Sequence, residues 1–344
     1  MDSLSQVALG SAVGIAVMGR RVPLWKAALV GAVVGTLPDL DSFIDHGDPI
    51  RNMTFHRAES HALFYLTLLS PLLALLITRL CGALQDFKRW WLTVWLVLVT
   101  HALLDLMTVY GTQLALPFSD YPFGIGSIFI IDPIYTLPLL IGVVAAIFLS
   151  KTSGLKWNKI GLAFSSAYLC FGVIAQQHVK HIALDSLAEN DFPVEKLLVT
   201  PTPFNTLLWR VLAMTPEGYA EGYYSLLDDE PKITFTIYPR DKALYQAVQG
   251  NWEAERIAWF SHGFFKMQDY DGKIVITDLR MGQEPYYSFN FLVAEKNGEH
   301  INFVKPQLEM ERPEMQPALA WLWRRLQGNL IDPPWAREIQ QQNL

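Results

Sequence analysis

The sequence predicts a polytopic α-helical membrane bundle of about six helices, followed by a soluble α+β domain with an antiparallel sheet. Three observations predict it. Hydrophobic residues make up 51% of the chain and charged residues only 17%, and the shortage of charge is concentrated before about residue 180. Within that half, long apolar runs recur between short basic loops. Beyond it, charged, turn-rich stretches such as DDEPKITFTIYPRDK take over. Domain boundaries of 1–180 and 181–344 follow. The net charge of −6 lies largely in the second part and excludes a nucleic-acid surface.

Six apolar segments stand out, at roughly 4–18, 22–38, 62–80, 90–108, 130–149 and 158–177. A helix needs about 20 residues to cross the hydrocarbon layer, with a lower limit near 17, so the first segment is short and the others suffice or nearly so. Arg20 and Arg21 follow the first segment, whereas a cleaved signal carries its positive charge in front. The basic loops alternate: Arg20 and Arg21, then Arg79 through Lys88 and Arg89, then Lys151, Lys156 and Lys159. With those in the cytoplasm, the N-terminus, the 39–61 and 109–129 loops and everything after about 178 lie on the opposite, periplasmic face. Cys81 ends one apolar run and Cys170 lies within another, so no disulfide framework is suggested.

From about residue 200 the pattern turns to period-two strands. LLWRVLAM and YAEGYYSLL flank TPEG as a hairpin, and KITFTIY, KIVITDLRM, YYSFNFLVAE and INFVK continue as strands. DKALYQAVQGNWEAERIAWF and MQPALAWLWRRLQG read as helices, and Trp209, Trp252 and Trp321 as core.

The chemistry is concentrated at one membrane face. Asp39 and Asp41 leave the second helix, His56 and His61 precede the third, and His101 and Asp105 end the fourth. Ionisable groups beside the hydrocarbon are costly and usually functional. Carboxylates and imidazoles are also the donors that borderline divalent metals prefer. His101 and Asp105, four apart, share a helix face; the alternative is a hydrogen bond joining two helices. Asp39 and Asp41 follow Pro38, and in an extended stretch both would point to one site; the alternative is a solvated helix end. His56 and His61 cannot share one helical face, which places His56 in the loop and His61 in the next helix's first turn. Arg57 is a candidate for an anionic substrate group or a lipid headgroup. Asp2 can cap the first helix or act as a ligand. Ser60, Glu59, Tyr110, Thr112 and Gln113 are candidates for capping or orienting roles, and Asp132 reads first as a helix cap. Asp45, His46 and Asp48 read as surface, His178 and His181 as interfacial anchors, and His262 and His300 as structural.

Together, MDSLSQVALG, GTLPDLD, FHRAESHALF, HALLDLMTVYGTQLALPFS and FIIDP resemble the YdjM-like family of LexA-regulated, membrane-bound metal-dependent hydrolases; TPFNTLLWR near 201–210 resembles its downstream region. The resemblance implies an inner-membrane protein of the SOS response with a divalent-metal hydrolase site, distantly similar to zinc-dependent phospholipase C, whose site has a similar H-x3-D. It matches Asp39, Asp41, His56, His61, His101 and Asp105 to the family's polar motifs. Where family members often carry Thr-His in the first helix, this chain has Ser5-Gln6.

The expected function is hydrolysis of a phosphoester in a membrane lipid or lipid-linked substrate, by two or three ions of zinc or manganese. Asp41 would accept the proton and Arg57 would bind the phosphate. A transporter or metal-handling protein, and a stress-linked scaffold with a structural metal, are the competing expectations.

Overall fold

The computed structural model describes residues 1–336 except 190, 299 and 311. Seven helices come first: α1 (Ser3–Met18), α2 (Leu24–Thr36), α3 (Pro49–Phe55), α4 (Leu63–Leu80), α5 (Phe87–Leu106), α6 (Pro133–Phe148) and α7 (Lys151–Ala188). The chain divides into two units. The first comprises Met1–Ile44, His56–Ile174 and Pro203–Asn205; the second comprises Asp45–Phe55, Ala175–Thr202 and Thr206–Leu344.

In the first unit, α1 packs on α2 through glycines spaced four apart, Gly10 and Gly14 against Gly31 and Gly35. A Cβ on Gly31 would stand 2.1 Å from the Gly10 carbonyl oxygen. Only small residues allow backbones to approach so closely, a device common between membrane helices. Outward, α4 displays Leu68, Leu72, Leu76 and Leu80, exposed by 57, 65, 54 and 78%. A helix with its apolar stripe turned out rather than in faces lipid or a partner.

The six apolar segments match α1, α2, α4, α5, α6 and α7. Among the described residues, only the helices Leu63–Leu80, Leu84–Leu106 and Lys151–Ala188 are long and apolar enough to cross a membrane. The helices α1, α2 and α6 have 16, 13 and 16 residues. For α2 the reason is local, since Pro23 precedes its first turn and Pro38 opens a 3₁₀ turn just beyond it. The helix α7 is longer than the sequence suggests: Lys151, Lys156 and Lys159 lie in it, not in a loop.

The second unit contains two four-stranded antiparallel sheets rather than one. The first, in order β1–β4, joins β1 (Lys196–Pro201), β2 (Leu208–Met214), β3 (Gly218–Ser225) and β4 (Phe235–Pro239). The hairpin expected around TPEG is β2–β3, with Met214 opposite Tyr219. Two short helices follow, α8 (Lys242–Ala247) and α9 (Trp252–Phe260), capped by Asp241 and Asn251. Then come β5 (Phe265–Tyr270), β6 (Lys273–Asp278), the two-residue strands β7 (Gly282–Gln283) and β8 (Tyr286–Tyr287), β9 (Asn290–Asn297) and β10 (His300–Glu309). The second sheet has the order β10-β9-β6-β5. The chain continues into α10 (Met315–Leu326). Trp209 and Trp321 are buried, but Trp252 is 39% exposed. It begins α9 and stacks under Arg51 and Arg256, 4.6 and 5.9 Å from its ring centre, so cations cover it in place of a core.

The segment 45–55 belongs to the second unit although its flanks belong to the first. There Asp48 caps α3 through the Ile50 and Arg51 amides, and Arg256 donates to Thr54 Oγ1 at 3.1 Å.

Candidate metal centre

Three short stretches of the first unit meet at the C-terminal end of α5. After α2, Pro38–Phe43 forms a 3₁₀ turn carrying Asp39 and Asp41. With three residues per turn, side chains two apart diverge by about 240°, so the two carboxylates part, unlike the extended arrangement expected. Arg57 adopts a left-handed backbone conformation (φ 63°) and turns the chain between His56 and the 3₁₀ turn Glu59–His61. The Gln113 amide bonds the Arg57 carbonyl at 2.9 Å and holds that turn. His61 therefore sits just before α4 rather than in its first turn. His101 and Asp105 occupy one face of the last turns of α5.

Asp39, His61, His101 and Asp105 converge, with one ligand atom from each lying within 4.8 Å of the others. The two imidazole Nε2 atoms are 3.0 Å apart. From His61 Nε2, Asp105 Oδ2 lies at 3.1 Å and Asp39 Oδ1 at 3.4 Å; Asp39 Oδ1 is 3.6 Å from His101 Nε2. A tetrahedral zinc with bonds of 2.0–2.1 Å holds its ligand atoms about 3.3 Å apart, which is the scale of these separations.

The hydrogen bonds fix what the imidazoles present. His101 Nδ1 lies 2.7 Å from the Gly35 carbonyl oxygen, which can only accept, so Nδ1 carries the proton. Ser60 spends its hydroxyl proton on Asp41, leaving its oxygen to accept from His61 Nδ1 at 2.8 Å. In their neutral forms both histidines thus turn Nε2 lone pairs toward each other, between two carboxylates. A cation, proton or metal ion, has to stand there. Asp105 Oδ2 is buried with no hydrogen-bond donor among the described residues, another atom that fits a metal. Burial works against the imidazolium, but Asp105 and Asp39 outweigh it and raise the His61 pKa above its ordinary value. For Asp39, burial alone would raise the pKa; His101 and His61 instead hold it below the carboxylate range.

The remaining candidates surround this group. Asp41 is fully engaged: one oxygen meets His56 Nδ1 at 2.7 Å, and the other takes the Arg57 amide at 2.9 Å and the Ser60 hydroxyl. His56 thus bonds to Asp41 rather than to the four converging groups, and lies edge-on to Tyr110 with ring centres 5.6 Å apart. Arg57 is buried; its guanidinium lies 3.4 Å from Asp105 Oδ1, 3.3 Å from Thr108 Oγ1 and 5.0 Å from the Tyr110 ring centre. It faces the back of the group, not solvent. Asp2 caps α1 through the Leu4 and Ser5 amides and bonds Ser5 Oγ at 2.5 Å. Gln6 is buried beside the ligands, its amide nitrogen 3.2 Å from Asp105 Oδ1, and the Met1 amino group meets the same oxygen. Asp132 caps α6 and accepts from the Tyr168 hydroxyl at 2.9 Å. The Gly35 carbonyl was not singled out from sequence, since a backbone acceptor leaves no mark on residue type.

A model of the YdjM inner membrane protein family matches residues 1–179 of the chain. The chain is 25% identical over 243 residues to the uncharacterized protein YfhP of Bacillus subtilis (strain 168), covering 66% of this chain and 71% of that protein. No solved structure matches it.

Proposed function

The chain belongs to the YdjM inner membrane protein family, and on that premise we propose that it is a membrane-bound, metal-dependent hydrolase of a phosphoester in a lipid or lipid-linked substrate. One observation carries the reading: the Nε2 atoms of His61 and His101 face each other at 3.0 Å between the carboxylates of Asp39 and Asp105. Two imidazoles and two carboxylates balance a dication and suit zinc, with manganese second. Four ligands of this kind serve one ion, fewer than the two or three expected from sequence. When bound, such an ion lowers the pKa of a water toward 7 and offsets charge on the phosphoester.

The chain's own groups do the rest. The Gly35 carbonyl and Ser60 hold both imidazoles with Nε2 inward, and Asp41 anchors Ser60, which makes Asp41 a positioning residue. Arg57 and Gln6 offset Asp105 Oδ1 from behind. Asp39 keeps 20% of its side chain exposed, whereas the other three ligands are at most 1% exposed, so substrate enters past Asp39. Beside it Leu40 and Phe43 are 52 and 84% exposed, apolar surface suited to an acyl chain. Under the positive-inside rule the basic segments face the cytoplasm and the metal group the periplasmic side.

A transport role would call for titratable groups along the helices between the two ends. The buried Ser11, Asn158 and Ser165 are instead bonded to backbone carbonyls. Elemental analysis of detergent-purified protein, paired with a screen of phospholipids and phosphodiesters, tests the proposal. About one equivalent of metal per chain and hydrolysis lost in His101→Ala are expected. A variant as active as its parent removes the proposal; bound metal without any hydrolysis leaves a structural ion and an inert scaffold.

A further inference from the structure

Apart from Arg57, which backs Asp105, the lysines and arginines of the first unit gather far from the Asp–His group. Arg89 and Asp105 mark the two ends of α5, about 24 Å apart at 1.5 Å per residue. Around the Arg89 end three contacts tie the basic segments together. Arg21 pairs with Asp86 at 3.3 Å, Arg89 Nε donates to the Val17 carbonyl at 3.1 Å, and Lys151 Nζ donates to the Arg20 carbonyl at 3.2 Å. A groove of about 660 Å³ opens there, lined by Arg20, Lys151, Lys156 and Lys159 with Leu155 and Ile160. Helical spacing makes it: residues 152, 155, 156, 159, 160 and 163 of α7 recur three and four apart and so share one face. No carboxylate lines the groove, and its four cations are all exposed.

We propose that this groove binds the phosphate of an anionic phospholipid, whose acyl chains run along Leu155 and Ile160. Four like charges converging without a protein anion are stabilised by a ligand that brings negative charge. An apolar wall continuing from the cationic rim suits a molecule that is anionic at one end and hydrocarbon at the other. Trp25 in the first turn of α2 and Trp157 in the second turn of α7 are 52 and 48% exposed, and the Lys26 ammonium lies 5.5 Å over the Trp25 ring. Tryptophan beside lysine is the usual composition of the headgroup layer. Free phosphate shares the headgroup's charge but has nothing to place against the apolar wall.

The test uses full-length protein, delipidated in detergent and titrated separately with phosphatidylglycerol and phosphatidylcholine in mixed micelles, with inorganic phosphate as competitor. Wild-type protein is expected to prefer phosphatidylglycerol. The triple variant K151Q/K156Q/K159Q is expected to bind it on the order of a hundredfold more weakly, with phosphatidylcholine binding unchanged. The single variants K156Q and K159Q, each expected to lose about fivefold, keep the test available if the triple variant fails to fold. Equal affinity for the two lipids in wild-type protein overturns the proposal, as does undiminished phosphatidylglycerol binding in the variants. Displacement of phosphatidylglycerol by millimolar inorganic phosphate also overturns it and assigns the groove to a free anion.

Discussion

Three ligands of the candidate centre, His61, His101 and Asp105, are held at their other ends, and the predictions at this scale follow from that. Removing the Ser60 hydroxyl with Ala leaves His61 Nδ1 without its acceptor and Asp41 with one donor fewer. Metal affinity is expected to fall about 10- to 100-fold, read by competition with a chromophoric chelator. His101→Ala, which deletes a ligand, has to cost more; a Ser60→Ala loss as large as that of His101→Ala would mean that Ser60 does more than orient. Proton and metal compete for His61 Nε2. Because His61 titrates above the ordinary histidine value, the proton already competes at a higher pH than at an unperturbed imidazole. Affinity should therefore weaken steadily as pH is lowered from about 8 to 6. An affinity that stays flat over that range would show that His61 is not a ligand. The His101–Asp105 pair was legible in the sequence because helical geometry leaves four-apart residues little choice of direction. Asp39 and Asp41 were legible as a pair but not in their different directions, which a single 3₁₀ turn sets.

At the scale of elements, the approach of α1 to α2 carries the centre, since Gly35 on α2 orients His101 and Gln6 on α1 reaches Asp105. A methyl group on Gly31 would meet the Gly10 carbonyl oxygen at 2.1 Å, a backbone atom that cannot move without the helix. Gly31→Ala is expected to destabilise the first unit by about 1–3 kcal/mol and to lower metal content with it. Thermal unfolding in detergent and metal analysis read the two effects; an unshifted transition would show that the helices part freely. In the second unit Arg210 and Glu221 pair at 2.5 Å with both side chains 4% exposed. Glu221→Ala strands a buried guanidinium, and a loss of about 3–5 kcal/mol is expected in chemical denaturation. Strands such as β2 and β3 were legible because TPEG marks their turn. The strand β1 was missed because its apolar run in LLVTP is too short to show a period, and β5 because FFKMQDY directly follows a helical pattern. The division into two sheets depends on long-range pairing, such as β6 with β9, which no local pattern encodes.

For the whole molecule, the two polar ends of the first unit have opposite chemistry, and the apolar belt between them gives that polarity an orientation. Apolar runs in the sequence located six helices but could not say which reach across, because length is set by terminators such as Pro23, Pro38 and Gly19. Among the described residues three helices have spanning length, so sidedness rests on where the basic segments lie rather than on counting passes. Two residues report it directly. Cys81 is an exposed free cysteine following α4, beside the basic segments. Ser119 is exposed in the stretch between α5 and α6, on the side of the metal group. In a Cys170→Ala background, a membrane-impermeant maleimide added to intact cells or spheroplasts is expected to label Ser119→Cys and to leave Cys81 untouched until the membrane is permeabilised. Labelling of Cys81 from outside would invert the orientation. It would place the metal group in the cytoplasm and direct the search for a substrate to the inner leaflet.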